Sequence, residues 1–336
     1  MSSRVSIYDK SGQWLTEVNT TFNRVYKLNE FGIGSFTLST DDDKCREDYL
    51  QFGNYVYVEH DKLPVWAGMI EPPQIWGHGQ VTSTVYSAEY ILSIMISDRT
   101  IVMQGAWGSI YQQLVTQMFD NDVKNVVRIG SIFGGGKVVN RTYNYANLYD
   151  EVKILCKDSG NDFDFEPEID ANGKLYFSAN WHEKRGALKN FTLYEGTNIQ
   201  LANPLMRVQG RIANRLMIYG DGATFQTRPV AKRDDKESRA LYGQRWLAQP
   251  VQGDDLNANA DQLIKEYAHP RKTFNITALD VGDTFKQCRI GDMLNISFHS
   301  VGFSGSGLGT NEVVRILQMD YNDQNNVLKL VADEVR

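Results

Sequence analysis

The side chains best suited to acid–base or metal chemistry in this chain are its five histidines. Imidazole binds metals and transfers protons near neutral pH, so the spacing of these residues is informative. None lies in a His-Glu-x-x-His sequence, and no two are four residues apart, as a zinc site on a helix would require. Trp181-His182-Glu183 could supply half of a catalytic pair, but the sequence indicates no second half. We expect surface or capping roles for all five, namely His60, His78, His182, His269 and His299.

Two glycine-rich segments have the composition of nucleotide-binding loops. Gly130–Lys137 ends in a lysine, but Val138 stands where a phosphate-binding loop has serine or threonine. Gly302–Gly309 is followed by no helical pattern, which a dinucleotide-binding loop needs. We therefore predict a glycine-rich turn for the first segment and a flexible loop between two strands for the second.

Acidic and thiol side chains form no recognisable site either. Asp41-Asp42-Asp43 could in principle provide two carboxylates for glycosidic cleavage, but the run is typical of a turn between strands. No two of the three cysteines form a Cys-x-x-Cys pair, so the sequence encodes neither a disulfide framework nor a zinc site; the cysteines are Cys45, Cys156 and Cys288. No Gly-x-Ser-x-Gly sequence occurs. The sequence therefore predicts no catalytic, cofactor-binding or metal-binding residue, and no enzyme.

Composition and charge narrow the class of protein further. The 336 residues are 42% apolar and 23% charged, which is ordinary for a globular chain of two or three domains. The formal charge is −6 and no segment concentrates Lys and Arg, so we expect no sequence-specific nucleic-acid binding. The densest candidate, Lys232–Glu237, alternates in sign and predicts a solvated loop.

The sequence also indicates where the chain folds. Residues 1–10 lack the apolar core of a signal peptide. The apolar run Tyr90–Ile96 is shorter than the roughly 20 residues that span a bilayer, so we expect no membrane segment. Three cysteines without a pairing pattern fit a protein that is made and folded in a cytoplasm.

The elements that would position any site fall into three regions. Residues 1–100 contain short alternating stretches, such as Gly34–Thr40 and Val81–Ala88, and predict a small barrel or sandwich. From Trp107 the period changes to that of an amphipathic helix, with an apolar stripe formed by Ile110, Tyr111, Leu114, Val115, Met118 and Phe119.

A second helix is predicted from about Leu148 to Ser159, with Gly160 as its stop. Strands at 163–165 and 174–178 follow, so residues 101–200 predict a separate α+β domain. Alternating strands resume in 201–336, where one helix near 254–268 starts after Asp254-Asp255 and is closed by Pro270. The predicted fold class is a β-rich α+β protein with domains at 1–100, 101–200 and 201–336.

Short segments in a defined order carry a further signal. They are Val5–Tyr8, Gly34–Leu38, Val65–Glu71, Ser87–Leu92, Ile212–Gly220, Leu241–Arg245, Cys288–Ile296, Val313–Leu317 and Leu328–Leu330. In order and spacing they resemble the phage tail hub or baseplate hub family, which includes the structural region of tail-associated lysins. The resemblance extends over most of the chain.

This resemblance implies two similar small β-barrel domains of the tube type, with the α+β domain inserted between them. Three subunits would form a homotrimer, a pseudo-sixfold ring around the channel for DNA and the tape measure protein. The ring would join the tail tube or distal tail protein to the tip or receptor-binding proteins of the virion. Larger relatives carry a C-terminal peptidase or lysozyme domain, and the last predicted strand here lies so near the end that we expect the short, structural form.

Two other classes of function remain open at this point. One is a carbohydrate-binding β module of a tail tip or cell surface, in which Trp14, Trp76 or Trp107 stacks on sugars. Trp107 lies on the apolar stripe of its predicted helix, and we expect core packing there. Trp76, between Pro73 and Gly77, is the best remaining candidate for stacking on a sugar, and we favour simple packing for it as well. The other is a cell-wall hydrolase, which the lack of a catalytic set disfavours.

Overall fold

The computed structural model describes residues 3–97, 99–117, 122–200, 205–220, 227–251, 256–304 and 307–335. The chain divides into two compact units. Unit 1 comprises residues 1–204 and 275–336, and unit 2 comprises residues 205–274. Each unit has an apolar core of its own.

The strands of the described ranges are β1 (Arg4–Tyr8), β2 (Trp14–Val18), β3 (Phe22–Lys27), β4 (Ile33–Ser39), β5 (Tyr55–Glu59), β6 (Trp66–Gly77), β7 (Gln80–Ser87), β8 (Thr100–Ala106), β9 (Val127–Ile132), β10 (Val138–Asn144), β11 (Asp162–Ile169), β12 (Leu175–His182), β13 (Leu188–Tyr194), β14 (Leu205–Gln209), β15 (Arg215–Tyr219), β16 (Val230–Asp234), β17 (Trp246–Pro250), β18 (Arg271–Ala278), β19 (Met293–Ser304), β20 (Gly307–Asn322) and β21 (Val327–Glu334). The α-helices are α1 (Glu47–Leu50), α2 (Trp107–Thr116), α3 (Leu148–Ser159), α4 (Lys236–Tyr242), α5 (Leu256–Tyr267) and α6 (Thr284–Gln287). Short 3-10 helices span Ala88–Ile94 and Asp122–Asn125. The protein is thus β-rich with few helices, as predicted.

Thirteen strands form one large sheet. Its order is β14-β18-β21-β20-β3-β4-β7-β6-β5-β1-β2, and β19 pairs with both β20 and β13. Strands from the first 90 residues and from the last 60 meet where β3 pairs antiparallel with β20, with Tyr26 opposite Met319. The described strands leave this sheet open, with no pair that closes a barrel. The two small barrels and the boundaries 1–100, 101–200 and 201–336 stay predictions.

Alternation in the sequence accounts for the pairing of the central strands. In β4, Gly34, Phe36 and Leu38 are buried while the residues between them face outward. Val81 and Val85 of β7 lie on the same buried face, because the register places Leu38 opposite Val81. A slip of one residue would expose this whole set to water, so the hydrophobic pattern fixes the register.

The middle of the chain forms the predicted mixture of helices and strands. α2 covers the three-stranded sheet β11-β12-β9, and Tyr111 of the helix stacks on Trp181 of β12 with ring centroids 4.9 Å apart. Leu114 is fully buried, so the predicted apolar stripe is confirmed as far as Val115. Met118 and Phe119, which the prediction also placed on the stripe, lie outside the described residues.

α3 confirms both predicted helix ends. Asn147 caps the N-terminus by accepting hydrogen bonds from the backbone N–H groups of Tyr149 and Asp150. Gly160 ends the helix in the left-handed region, with φ of 74°, a conformation that glycine adopts without steric cost.

Unit 2 contains a three-stranded sheet that packs on the helix α5. Its sheet has the order β16-β15-β17, and the buried face, with Leu216, Ile218 and Leu247, packs on α5. The predicted helix near 254–268 is therefore confirmed, although Asp254-Asp255 lies outside the described residues.

Two loop predictions are wrong. Lys232–Glu237 is not a solvated loop, because Lys232–Asp234 completes β16 and Asp235 then caps α4 by accepting a hydrogen bond from the Ser238 N–H. The described part of Gly302–Gly309 is not a loop either. Phe303 pairs with Leu308, and Ser304 with Gly307, in a long hairpin of β19 and β20.

The described residues include no helix long and apolar enough to cross a membrane. The apolar run Tyr90–Ile96 lies mostly in the 3-10 helix Ala88–Ile94, where Ile91 and Leu92 are buried in the core next to α2 and α3.

Candidate functional site

The strand β11 has charged side chains at positions where a core is expected. Asp162 and Asp164 alternate with Phe163 and Phe165, and all four residues are buried. The phenylalanines pack in the apolar core with α2, so the two carboxylates lie on the other face of the strand. Burying a carboxylate is costly unless it is paired and hydrogen-bonded, so their partners define the site.

Asp164 is held by three side chains. Its Oδ1 accepts a hydrogen bond from Asn180 Nδ2 at 2.8 Å, and its Oδ2 lies 3.1 Å from His182 Nε2 and 2.8 Å from Arg185 Nε. Burial favours the neutral acid, but the hydrogen bond from His182, the positive charge of Arg185 and the hydrogen bond from Asn180 together lower the pKa of Asp164 below its ordinary value. The carboxylate is therefore ionised in the folded protein at neutral pH.

Asp162 joins three parts of unit 1 that are far apart in the sequence. Its Oδ1 accepts from Asn29 Nδ2 at 2.8 Å, and its Oδ2 accepts from the Arg185 backbone N–H at 2.7 Å and from Arg315. Arg315 also donates to the carbonyl oxygens of Gly291, at 3.1 Å, and Arg185, at 2.9 Å. Asp162 is 2% exposed, so this ion pair lies in the interior of unit 1.

A third buried carboxylate, that of Asp292, extends the network. Asp292 Oδ1 accepts from the Ala187 N–H at 2.9 Å, and its Oδ2 lies 3.4 Å from Lys189 Nζ. Gly186 and Gly291 pass so close that a Cβ on Gly186 would lie 2.3 Å from the Gly291 carbonyl carbon. Both glycines have positive φ, so this crossing of two backbones tolerates no side chain on Gly186.

A groove of about 470 Å³ opens beside this network. Lys27, Glu30, Cys156, Lys184 and Arg315 are among its lining residues. The lining includes both positive and negative side chains, and Glu30 Oε1 lies 3.0 Å from Lys153 Nζ. Burial raises the pKa of the Cys156 thiol, so this sulfur is a poor nucleophile at neutral pH.

The His182–Asp164 contact supplies the second half of the pair that the sequence left open. The same carboxylate oxygen is also bound by Arg185, so Asp164 is shared between a cation and the imidazole. A base that activates a nucleophile needs its carboxylate partner to orient the ring towards that nucleophile. Here the arrangement holds β11, β12 and the following segment together, which is a structural role.

The other four histidines lie in separate surroundings. His60 Nε2 is 3.2 Å from the Tyr321 hydroxyl, and burial with the nearby charge of Arg24 lowers the pKa of His60. His78 is at the exposed tip of the β6–β7 hairpin, His269 contacts the Tyr242 ring, and His299 Nδ1 lies 3.3 Å from Glu195.

Among the residues that the structure describes, no group of three or more His, Cys, Asp or Glu is arranged to hold a metal ion. Asp41-Asp42-Asp43 lies in a turn after β4. The first three residues of Gly130–Lys137 belong to β9, and a Cβ on Gly130 would lie 2.2 Å from Asn180 Oδ1. The predicted turn is therefore confined to the residues after Ile132.

The tryptophans differ in their exposure. Trp107 is 5% exposed and packs in the core, as predicted. Trp76 is 62% exposed at the end of β6, so the prediction that it packs in a core is wrong. Trp14 is also exposed, on the edge strand β2.

The sequence prediction missed the polar network. One signal was present, because Asp162 and Asp164 alternate with two phenylalanines in a strand, and an aspartate is unfavourable there without a partner. The partners Arg185 and Arg315 carry no local signal, since Arg315 lies 153 positions from Asp162.

The sequence matches no protein-family model and no curated protein. Several solved structures have the same fold. The prophage tail protein gp18 from Listeria monocytogenes EGD-e is 13% identical, with a TM-score of 0.64 over 98% of this chain and 94% of that chain. The 43 kDa tail protein of prophage MuSo2 from Shewanella oneidensis is 14% identical, with a TM-score of 0.64 over 99% and 98%.

The fold also resembles that of the E. coli c3393 protein, a type VI secretion component that is itself similar to the T4 tail proteins gp27 and gp5. It is 10% identical, with a TM-score of 0.51 over 100% of this chain and 75% of that chain. The fold of this chain is therefore that of phage tail and related secretion-system proteins.

Proposed function

We propose that this chain is a structural hub subunit of a phage tail tip or baseplate. In this proposal three copies form a pseudo-sixfold ring, located in the virion, around the channel for DNA and the tape measure protein. The observation that carries it is the match to two prophage tail proteins along nearly the whole of both chains. A type VI component with similarity to gp27 and gp5 shares the fold, which supports a hub rather than another tail part.

The interior network supports a mechanical role. Asp162 and Asp164 connect residues near positions 29, 185 and 315 through buried, charge-assisted hydrogen bonds. Such bonds are stronger than neutral ones and fix the geometry of the groups they join. They rigidify unit 1, as a ring subunit between a tube and a tip requires. We propose no catalytic activity for the chain.

The neighbours in the proposed assembly are the distal tail protein or tail tube on one side and tip or receptor-binding proteins on the other. The formal charge of −6 suits a subunit that lines a DNA passage. Phosphates bind Lys and Arg tightly, and an acidic protein avoids retaining the genome. The two tube-type barrels, at 1–100 and 201–336, belong to this proposal and would double threefold symmetry to sixfold.

The test is the mass of the purified chain in solution. Mass photometry is expected to give a trimer, alone or on a ring of the distal tail protein, and electron microscopy of the trimer should give a ring with an open centre. Monomers under both conditions would contradict the proposal. Turnover of peptidoglycan that is lost in His182→Ala would contradict the structural role.

A further inference from the structure

Charge is distributed unequally between the two units of the chain. Unit 2 carries twelve Lys and Arg against eight Asp and Glu, a net charge of +4. The rest of the chain carries 23 basic against 33 acidic residues, a net charge of −10. Opposite net charges in two parts of one subunit allow different copies to attract each other.

The positive charge of unit 2 lies partly on one face of its sheet, which we call the basic face. The register of β15 with β16 and β17 places Arg215, Met217, Tyr219, Lys232 and Trp246 on the side opposite α5. Trp246 is 48% exposed and Val230 of the same face 50% exposed.

Two arginines lie over the aromatic rings of the basic face. Arg215 Cζ is 4.4 Å from the ring centroid of Trp246, and Arg228 Cζ is 5.6 Å from that of Tyr219. Exposed Arg, Trp and Tyr are the residue types most enriched at binding hot spots. The face therefore has the composition of the centre of a protein interface, with positive charge.

A surface of opposite charge is present on unit 1, at one end of the large sheet, and we call it the acidic end. It comprises residues 40–53 and the hairpin 74–80, joined by hydrogen bonds from Thr40 N to Gly79 O at 2.8 Å and from Gln74 Nε2 to Leu50 O at 2.7 Å. Residues 40–53 contain five acidic and two basic residues.

The acidic end also exposes large apolar side chains. Trp76 is 62% exposed, Ile75 64% and Phe52 49%. Asp41 and Glu47 of the same surface are exposed, and neither forms a salt bridge with another residue that the structure describes, whereas Asp43 pairs with Lys44 and Asp48 with Arg46. A surface that combines exposed apolar groups with unpaired carboxylates is suited to a partner that is aromatic and basic.

We propose that the basic face of unit 2 in one copy docks on the acidic end of unit 1 in a neighbouring copy. The inference rests on the proposed trimer and names the surfaces that hold it together. The contact is heterologous, since each copy uses two different surfaces, and heterologous contacts close into rings when the rotation between copies allows it.

The occupant of the basic face is a protein rather than a nucleic acid. Met217, Val230, Ala248 and Pro250 lie among its charged groups, and Asp234 stands at its border, paired with Arg239 at 2.8 Å. A phosphate-binding surface would place basic groups where these apolar ones lie. An acidic surface that presents Trp76 and Ile75 matches both the charge and the apolar area.

Charge reversal and charge exchange test the contact by mass photometry. Arg228→Glu/Lys232→Glu and Asp41→Lys/Glu47→Lys should each weaken trimerisation by about tenfold or more, because like charges then face each other. The chain with all four substitutions should recover the trimer. Lys10→Glu/Lys329→Glu changes the net charge as much as the first pair does, at exposed positions outside both surfaces, and should leave the trimer intact.

Substitutions of uncharged residues test the same contact independently of charge. Trp246→Ser and Trp76→Ser should each weaken the trimer, while circular dichroism shows a folded chain. Two outcomes would overturn the docking inference and leave the proposed function standing. One is a trimer that survives Arg228→Glu/Lys232→Glu, and the other is a four-substitution chain that does not recover the trimer.

If Arg228→Glu/Lys232→Glu abolished binding of a labelled DNA duplex but not trimerisation, the basic face would bind nucleic acid and the inference would be wrong. A wild-type chain that never trimerises would remove the proposed function itself.

Discussion

Buried charge in this protein is concentrated on one strand and its partners. Asp162 and Arg315 expose 2% and 17% of their side chains, so both are largely removed from water. An ion pair of this kind contributes little net stability compared with apolar packing, but removal of one partner leaves an uncompensated charge. Separating the charged partners of the network therefore costs free energy. This cost favours a single arrangement of residues 29, 162–185 and 315.

Removal of one partner tests this cost. Arg315→Ala should lower the free energy of unfolding of unit 1 by about 3–5 kcal/mol, because Asp162 keeps its burial and loses its cation. Arg4→Ala is the matched control, since Arg4 pairs with Glu17 at 2.8 Å while both side chains are exposed. Urea unfolding followed by tryptophan fluorescence should show a large shift of the midpoint for the first variant and almost none for the second. Equal shifts would contradict the role of the buried pair.

Asp164 predicts a particular dependence of stability on pH. Its pKa in the folded protein lies below the ordinary value of 3.8, so the ionised form stabilises the fold. This contribution is fully present above about pH 3.8 and is lost as the pH falls through the lowered pKa. Asp164→Asn should reduce the free energy of unfolding at pH 6. On further acidification this variant should lose less unfolding free energy than the wild type. Urea midpoints across this range measure the effect, and parallel curves for the two proteins would exclude it.

The candidate site was only partly accessible from the sequence. His182 stood out as a titratable residue, but its partner Asp164 lies in a strand 18 positions earlier, and the β11–β12 pairing brings the two together diagonally, with Asn180 directly opposite Asp164. Arg315 comes from β20, and its meeting with Asp162 depends on how the large sheet folds back. Contacts of this kind follow from tertiary structure, which local patterns do not specify.

Helices with a long apolar stripe were the most predictable elements. α2, α3 and α5 each repeat apolar residues at helical spacing over at least ten residues, so packing and periodicity agree. The strand β16 was missed because only Ala231 of its five residues is buried, and the other four have no apolar alternation. The hairpin of β19 and β20 was missed because glycine at positions 302, 307 and 309 indicates a loop when pairing is not considered.

The stripe of α2 gives a direct test of its packing. Leu114 is fully buried among the residues that cover β9, β11 and β12, so Leu114→Asp places an unpaired charge in this core. We expect the loss of about 3 kcal/mol or more of unfolding free energy. Gln113→Asp, on the exposed side of the same helix, is the control for helix propensity and charge. Thermal unfolding measures both, and an unchanged melting temperature for Leu114→Asp would show that the helix is not packed as described.

The two units of the molecule contain distinct apolar clusters. Among the described residues, the clusters around α2 and around β1–β7 include none of 205–274, and the cluster around α5 includes none outside that range. Composition and length predicted more than one domain, and the boundaries at 1–100, 101–200 and 201–336 stay predictions. Strands from both ends of the chain pair in one sheet, a long-range arrangement that sequence order conceals.

Separate cores predict that unit 2 can be removed without unfolding unit 1. β14 and β18 are neighbours in the sheet, so residues 210–270 can be replaced by a glycine–serine linker of about twelve residues, which spans about 20 Å. The shortened chain should keep the melting transition of unit 1, including its sensitivity to Leu114→Asp, because the substituted side chain contacts nothing in the deleted range. It should also be a monomer, since the basic face is gone while the acidic end remains. A shortened chain that still forms trimers would place the ring contacts in unit 1 alone, and one that fails to fold would show that the two cores depend on each other.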